Sequence, residues 1–190
     1  ILFSGNEEQK KYFLPKIAQG EIKFCMAVTE PGGGTDILGA LKTFARQDGD
    51  HFIVNGQKIF ITNAHKADYL LTLVKTDETA SRKAKSLSLF LILVKDNPGI
   101  EIVPLKKFTI KGASACEIFF DNATVPAKNM LGELHNGWYE LLKTLNHERI
   151  MVAALTNGIG QAALEDMVDY AKKREAFGRP IGQYQAIQHK

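Results

Sequence analysis

The 190-residue sequence lacks several features that would point to other classes of protein. Its only two cysteines, Cys25 and Cys116, are far apart, have no CxxC spacing and stand in apolar runs, which excludes a disulfide framework and favours a reducing, cytosolic compartment. No apolar run approaches the length that crosses a bilayer, and the N-terminus has no signal-peptide pattern. These absences predict a soluble protein without a membrane partner.

An excess of charge of one sign is also missing. The 24 lysines and arginines and 21 acidic residues are mixed along the chain and leave a net charge of +3, so no basic block predicts nucleic-acid binding. The short run "SRKAKS" at 81–86 is typical of a solvated loop. The five histidines have no metal-ligand spacing, and "HER" at 147–149 is not the HExxH motif, so we expect no metal site.

What the sequence does contain is a long region of strand-like periodicity. From Ile22 to about Val125, short runs rich in β-branched and aromatic residues alternate with turn signals, and no helical crossover interrupts them. Asn55-Gly56, between "HFIV" and "QKIFIT", is the strongest hairpin signal. The pattern predicts an antiparallel β-barrel or sandwich of about a hundred residues.

Helical patterns flank this region. At the N-terminus, Ser4 is the expected cap of a short helix that Pro15 interrupts. From Asn136, the expected N-cap, apolar residues recur at three- and four-residue steps, and a second amphipathic stretch follows that ends near Phe177-Gly178. This periodicity predicts helices of a bundle.

The expected fold is therefore α+β: an antiparallel β-barrel or sandwich middle domain between the end of one helical domain and the first helices of a bundle. The domain boundaries fall at 1–22, 23–128 and 129–190. Because the chain opens without Met and stops as a new helical pattern begins after Pro180, we expect it to be a piece of a longer protein.

One glycine-rich loop raises a question of ligand binding. In "AVTEPGGGTD" at 27–36, three glycines follow a strand, but no helical pattern comes next, so neither the dinucleotide fingerprint nor the P-loop applies. Such a loop can bring its amides close to a flat or phosphorylated ligand, with the Thr29 and Thr35 hydroxyls at its rims. The alternative is a mobile turn that binds nothing.

A second stretch, "VNGQKIFITNA" at 54–64, favours the ligand. Together with the glycine-rich loop it resembles the acyl-CoA dehydrogenase family, and the resemblance extends over essentially the whole chain. The further matching motifs, in order, are "NPGIEIVPL" at 97–105, "CEIFFDNATVP" at 116–126, "LNHERI" at 145–150 and "KREAFGRPIGQYQAIQ" at 173–188.

The resemblance implies a function and its partners. Members of this family bind FAD and convert acyl-CoA thioesters to trans-2-enoyl-CoA, passing electrons to an electron-transfer flavoprotein. They usually form homotetramers and, if eukaryotic, belong in the mitochondrial matrix rather than the cytoplasm. By this resemblance, the glycine-rich loop lies against FAD and acyl-CoA, where bulky side chains would collide with the ligand.

The resemblance also assigns site residues. Matches to the family's flavin contacts are Met26, Val28, Thr29, Thr35, Phe60, Ile61 and Thr62. Matches to residues that hold the adenosine half of FAD bound to a neighbouring subunit are Arg174, Phe177 and Gln185. Matches to positions near the acyl-CoA are Thr35, Asn146 and Arg149. Taken alone, the threonines would equally serve as strand-end caps.

The catalytic base is the least determined part of the assignment. Glu148 shares a helix face with Leu145 and Val152, which predicts a buried carboxylate with a raised pKa, suited to removing an α-proton. In isovaleryl and long-chain enzymes the base stands at this position; in most relatives it lies later, beyond Lys190. The alternative role for Glu148 is a structural partner of Arg149.

The sequence departs from the family pattern at Phe108-Thr109-Ile110-Lys111, where many members have Leu-Gly-x-Arg. Lys111 keeps the charge but loses the planar fork for bidentate contacts. Two other functions share the motifs: an acyl-CoA oxidase or related flavoenzyme, and a non-enzymatic scaffold of the same fold. Oxygen consumption identifies the oxidase, and a missing flavin spectrum identifies the scaffold.

Overall fold

The computed structural model describes all 190 residues, which form two compact units, Ile1–Lys143 and Thr144–Lys190. The helices are α1 (Glu7–Ala18), α2 (Ile37–Ala40), α3 (Gly137–Lys173) and α4 (Gln185–Gln188). The strands are β1 (Phe24–Ala27), β2 (Phe44–Asp48), β3 (His51–Thr62), β4 (Tyr69–Lys75), β5 (Leu87–Leu93), β6 (Ile100–Pro104), β7 (Ala115–Pro126), β8 (Met130–Leu131), β9 (Glu175–Ala176) and β10 (Arg179–Pro180). No helix is both long and apolar enough to cross a membrane.

The first unit is built on one eight-stranded sheet. Its strand order is β6-β7-β3-β2-β4-β5-β8, and β1 pairs with β4. Most neighbours are antiparallel, as expected, but β1 runs parallel to β4, and β2 meets β4 in parallel at a single residue pair. Because the two ends of this order, β6 and β8, do not pair, the sheet is sandwich-like rather than a closed barrel. The α+β fold class is confirmed.

The core of this unit lies along the sheet. Strand β5 is buried on both faces over its first six residues, which explains why all of its residues except Ser88 are apolar in "LSLFLIL". Burying each such side chain stabilises the fold by about 1.5–3 kcal/mol before entropy is counted. The core cluster includes Val54, Leu70, Val74, Phe90, Ile92, Cys116, Ile118 and Val125.

The hairpin predicted at Asn55-Gly56 was wrong, because β3 passes straight through these residues. The turn is instead at Gly49-Asp50, where Gly49 has a φ of +60° and Asp48 pairs with His51. Gly56 lies at a register shift in β3 and has a φ of +142°. A Cβ there would stand 2.5 Å from the Thr43 hydroxyl oxygen, so the glycine permits a bulge and a close approach rather than a turn.

Helix α1 begins differently from the sequence prediction. Asn6, not Ser4, is the N-cap, and it forms a capping box with Gln9. The Ser4 hydroxyl instead donates a hydrogen bond to Glu140. Pro15 lies inside α1 and does not interrupt it. Gln9 then ties the helix to the sheet, because its side-chain amide donates to the Met130 carbonyl at 2.9 Å.

The second helical region is one helix of 37 residues, α3, rather than two successive stretches. It begins directly after Asn136, as predicted, but the Asn136 side-chain oxygen accepts from Lys85 Nζ at 3.0 Å. The helix ends at Lys173, before the predicted Phe177-Gly178. Its two interior glycines, Gly158 and Gly160, weaken a helix without breaking it, and no proline interrupts the stretch.

Candidate functional site

The glycine-rich loop follows the end of β1, and contacts within the chain account for one of its three glycines. None of its three glycines has a positive φ. A Cβ on Gly33 would lie 2.7 Å from the Ala40 Cβ, so the chain's own packing excludes a side chain there. Gly32 and Gly34 leave room, with nearest atoms at 3.8 and 3.4 Å. At Gly33, packing within the chain is thus a reason for glycine besides the collision with a ligand that the resemblance implies.

The structure brings this loop against the second predicted ligand segment, the end of β3. The Ile59 amide donates to the Thr29 carbonyl at 2.9 Å. The Cys25 thiol donates to the Thr62 carbonyl at 2.9 Å. The two sets of predicted flavin contacts, 26–35 and 60–62, thus belong to one surface region of the first unit.

Phe60 is exposed by a local distortion of β3. The pairing with β7 shifts register between Lys58 and Ile61, which leaves Ile59 and Phe60 outside the ladder. Phe60 has a φ of +61°, uncommon for a residue other than glycine, and its side chain is 65% exposed. Such strain persists only where the surroundings impose it, and it is typical of ligand sites. A flat apolar ring held out of the sheet can pack on a flat ligand.

Beneath this surface lies an ion pair that the sequence analysis missed. Lys58 is fully buried, and its Nζ donates to Glu30 Oε1 at 2.9 Å, to the Val28 carbonyl at 3.1 Å and to the Leu73 carbonyl at 2.7 Å. Glu30 in turn accepts from the amides of Lys42 and Thr43, at 2.6 and 3.0 Å. Glu30 lies in the motif at 27–36 and Lys58 in the motif at 54–64. A charged residue of opposite sign in each motif was the signal from which the ion pair could have been predicted.

This environment lowers the pKa values of both Lys58 and Glu30. Burial lowers the pKa of Lys58 from 10.5 to about 8, against the opposing effect of the Glu30 carboxylate. For Glu30, burial favours the neutral acid, but the Lys58 charge and the hydrogen bonds outweigh it and hold the pKa below its usual 4.5. The pair is therefore ionised at neutral pH.

The donor set at this surface fits a flavin. The hydroxyls of Thr29, Thr35 and Thr62 make no hydrogen bond within the chain, so each can serve a heteroatom or a phosphate. Thr35 and Thr62 are exposed and Thr29 is half-buried, while the apolar Val28 and Ile61 are buried. Met26, on β1, is half-buried and lines a cavity with Ile17 and Leu71. Neutral hydroxyls around an exposed aromatic ring suit a flat, phosphorylated ligand.

The second unit carries the predicted acyl-CoA contacts on α3. Asn146 and Arg149 are exposed one turn apart, and Arg149 Nη1 donates to Asn146 Oδ1 at 2.6 Å. This bond places the guanidinium beside the amide and not in an ion pair with Glu148. Asn146 and Arg149 therefore lie side by side on one face of α3.

The burial expected for Glu148 is wrong for this chain. Glu148 is exposed, and it borders a depression of about 440 Å³ lined by Leu145, Arg149, Val152 and Ala153. The predicted face exists, because the apolar neighbours at three- and four-residue steps do flank the carboxylate. No other element of this unit covers that face, so Val152 and Leu155 are exposed as well.

The other predicted cofactor residues lie around a small hairpin in the same unit, where a helix end was expected. Phe177 and Gly178 connect β9 to β10, with φ values of +50° and +79°, as in a two-residue type I′ turn. Phe177 is 98% exposed at its tip. Arg174 lies at its base, where its carbonyl accepts from the Ile181 amide at 2.8 Å, and Gln185 opens α4.

Tyr184 holds this hairpin in shape. Its hydroxyl donates to the Ala176 carbonyl at 2.7 Å, and the Arg179 guanidinium stacks over its ring at 4.2 Å. The Phe177 ring meets the Tyr184 ring edge-on at 6.5 Å. Phe177 is therefore an exposed aromatic side chain on a well-supported turn and not part of a core.

The segment that departs from the family pattern lies between β6 and β7. Lys111 is exposed there. The loop is held instead by Lys107, whose Nζ donates to the carbonyls of Ile110 and Ala113.

The sequence matches two family profiles. "Acyl-CoA dehydrogenase, middle domain" matches residues 25–123, and "Acyl-CoA dehydrogenase, C-terminal domain" matches residues 135–190. The chain is 40% identical over 190 residues to the 3-(aryl)acrylate reductase of Clostridium sporogenes, covering 100% of this chain and 50% of that protein. It is 38% identical over 191 residues to the mitochondrial isovaleryl-CoA dehydrogenase of Pongo abelii, covering 100% of this chain and 45% of that protein.

Solved structures agree with these matches. An acyl-CoA dehydrogenase from Geobacillus kaustophilus aligns with a TM-score of 0.92 at 38% identity, covering 98% of this chain and 49% of that chain. The chain thus spans about half the length of the relatives it matches.

Proposed function

Because this chain belongs to the acyl-CoA dehydrogenase family, we propose that the full-length protein is an FAD-dependent enzyme that converts acyl-CoA thioesters to trans-2-enoyl-CoA. The observation that carries the proposal is the joint surface of the two ligand segments, where Phe60 is exposed at the register shift of β3 and the threonine hydroxyls of both segments have no partner within the chain. In this proposal the domains have the boundaries 1–22, 23–128 and 129–190.

Each part of the surface has a role in this reaction. FAD, when bound, accepts the hydride that leaves the β-carbon of the thioester. The hydroxyls of Thr29, Thr35 and Thr62 would hold FAD without adding charge, and the exposed Phe60 ring would pack against it. Met26, Val28 and Ile61 supply the apolar wall.

The residues of the second unit take the remaining roles. Asn146 and Arg149 are assigned to acyl-CoA binding, as is Thr35 of the first unit. Glu148 is the candidate base for the α-proton; a base in the part of the protein beyond Lys190 is the alternative. Arg174, Phe177 and Gln185 hold the adenosine half of FAD on a neighbouring subunit, which predicts an oligomer, with a tetramer as the expected form.

The partners and the compartment follow from the same proposal. The electron acceptor is an electron-transfer flavoprotein, and the reaction belongs to fatty-acid oxidation. The enzyme works in the cytoplasm or, in a eukaryote, in the mitochondrial matrix.

The test is a substrate panel on the full-length protein with an artificial electron acceptor. Short, medium, branched and aryl thioesters are compared by flavin bleaching and by product formation. Oxygen consumption with the same thioesters would assign an oxidase instead. A purified protein without visible flavin absorbance, and without flavin uptake, would contradict the proposal and favour a binding scaffold.

One relative favours a second candidate, the same chemistry run towards reduction. The 3-(aryl)acrylate reductase shares 40% identity across this whole chain. A site that stabilises the transition state between a saturated and an unsaturated thioester serves both directions. Reduction of an enoyl or arylacrylyl thioester by the pre-reduced protein, with no oxidation of any saturated thioester in the panel, would assign this direction.

A further inference from the structure

We infer that the buried Lys58–Glu30 pair is a positioning pair that fixes the glycine-rich loop against the end of β3 and so sets the geometry of the flavin surface. The inference rests on the proposed function and deepens it. It concerns two residues that touch no reacting atom and act through Thr29 and Phe60.

Lys58 joins three separate segments. Its ammonium donates to Val28 and Glu30 on the loop and to Leu73 on β4, at distances between 2.7 and 3.1 Å. Thr29 therefore lies between two residues that the same ammonium holds. On the other side, Phe60 follows Lys58 by two positions, within the register shift of β3.

Glu30 closes the far end of the same loop. Its two carboxylate oxygens accept the amides of Lys42 and Thr43, so the segment that contains the three glycines and α2 returns to the point where it left the sheet. Gly33 donates back to the Glu30 carbonyl at 3.0 Å. One carboxylate thus fixes both ends of an exposed segment.

A buried ion pair is a costly way to obtain stability alone. Desolvating two charges roughly cancels their attraction, and apolar residues of similar volume commonly stabilise a fold as well or better. What a charged pair adds is a defined arrangement of the segments that it joins, because the ammonium and the carboxylate have few alternative partners in a dry interior. At this place the arrangement serves the one surface where the loop and β3 meet.

The experiment separates this role from plain stability. In the full-length protein, Lys58→Met removes one charge, and Lys58→Met with Glu30→Gln removes both. Single removal leaves a buried, unpaired carboxylate and is expected to lower the melting temperature strongly. The double variant is expected to recover most of that loss.

The decisive readout is the dissociation constant for FAD, measured on deflavinated protein, with the visible spectrum of the bound flavin. We expect the double variant to bind FAD at least about tenfold more weakly and to shift its flavin spectrum, because the loop has lost its anchor; a displacement of about 1 Å is costly at such sites. Recovery of FAD affinity and spectrum together with the melting temperature would overturn the inference. If neither variant folds, Lys58→Arg is the test, because it keeps the charge but alters the three contacts of the ammonium. Wild-type flavin affinity in Lys58→Arg would overturn the inference. Weakened flavin affinity with a wild-type melting temperature would support it.

The matched control is Glu140→Gln. Glu140 is another buried carboxylate of the first unit, held by Ser4, Asn136 and Lys143. The Glu140→Gln variant is expected to have a lower melting temperature but an unchanged affinity for FAD. Wild-type protein that binds no FAD would refute the proposed function itself, whereas wild-type binding with unchanged affinity in the double variant refutes only the positioning role.

Discussion

At the scale of single residues, amino acids of the same type have different environments in this protein. Gly33 has no room for a methyl group because of Ala40, while its neighbours on the loop do. Glu30 and Glu148 are both glutamates of family motifs, but one is buried beside an ammonium and the other is exposed. Neither difference is written in the residue type, and each leads to a measurement.

For Gly33, the close approach predicts a specific rescue. Gly33→Ala should destabilise the protein by about 1–3 kcal/mol and lower its flavin content, because the new methyl group overpacks against Ala40. Adding Ala40→Gly should restore part of both. Thermal unfolding and flavin-to-protein ratios measure this. If Ala40→Gly gives no relief, the loop glycine acts through the ligand alone.

For Glu30, the lowered pKa predicts a contribution to acid stability. The folded-state pKa lies below the usual 4.5, so the stabilisation is present above 4.5 and is lost as the pH falls through the folded-state pKa. Glu30→Gln should therefore weaken the dependence of the melting temperature on pH between about pH 6 and about pH 3. Parallel wild-type and Glu30→Gln curves would show that other carboxylates account for the acid limb.

For Glu148, the test is Glu148→Gln in the full-length enzyme. If it is the base, reduction of bound flavin by substrate should slow by about two to four orders of magnitude while flavin stays bound. Glu165→Gln, at another exposed glutamate of α3, is the control and should leave the rate unchanged. Near-normal reduction in Glu148→Gln would place the base beyond Lys190.

At the scale of elements, α3 and β3 show what local patterns can and cannot specify. Apolar residues at three- and four-residue steps predicted helix from 136 onward, and helix is what forms, because the period is a property of the sequence itself. Asn-Gly is a turn signal of the same local kind, yet at 55–56 it lies within β3. Pairing with β2 and β7 on both sides overrides the local preference.

The bulge at Gly56 predicts a contrast between two glycines of the same strand pair. Gly56→Ala places a methyl group against Thr43 at a φ of +142° and should destabilise the protein by about 2–4 kcal/mol. Gly49→Asn at the true turn should cost less than about 1 kcal/mol, because asparagine tolerates a left-handed turn and nothing lies near. Urea unfolding of both variants measures the difference; equal losses would contradict this account of β3.

At the scale of the whole molecule, the two units differ in how well they bury their apolar residues. The first has a continuous core along its sheet. In the second, α3 exposes a row of large apolar side chains: Ile150, Met151, Val152, Leu155, Ile159, Leu164, Met167 and Val168. Exposed apolar surface of this extent is typical of interaction sites.

The 190-residue chain expressed alone should consequently self-associate and hold substoichiometric flavin. Light scattering after gel filtration measures the first, and visible absorbance the second. Leu155→Gln with Ile159→Gln should reduce the association, while the same substitution at buried Leu89 should unfold the protein instead. A monomeric chain with tightly bound, stoichiometric flavin would contradict this expectation.

The sequence by itself determined the family, the α+β class and the strand-rich and helical regions, because ordered motifs and periodicity are carried by neighbours along the chain. Tertiary structure alone decided which residues meet. Lys58 and Glu30 are 28 positions apart and pair only because β1 and β3 converge. The bulge that exposes Phe60 is a register shift in the pairing of β3 with β7, so it exists only in the folded sheet. Contacts of this kind depend on strand order and register, which no local pattern specifies.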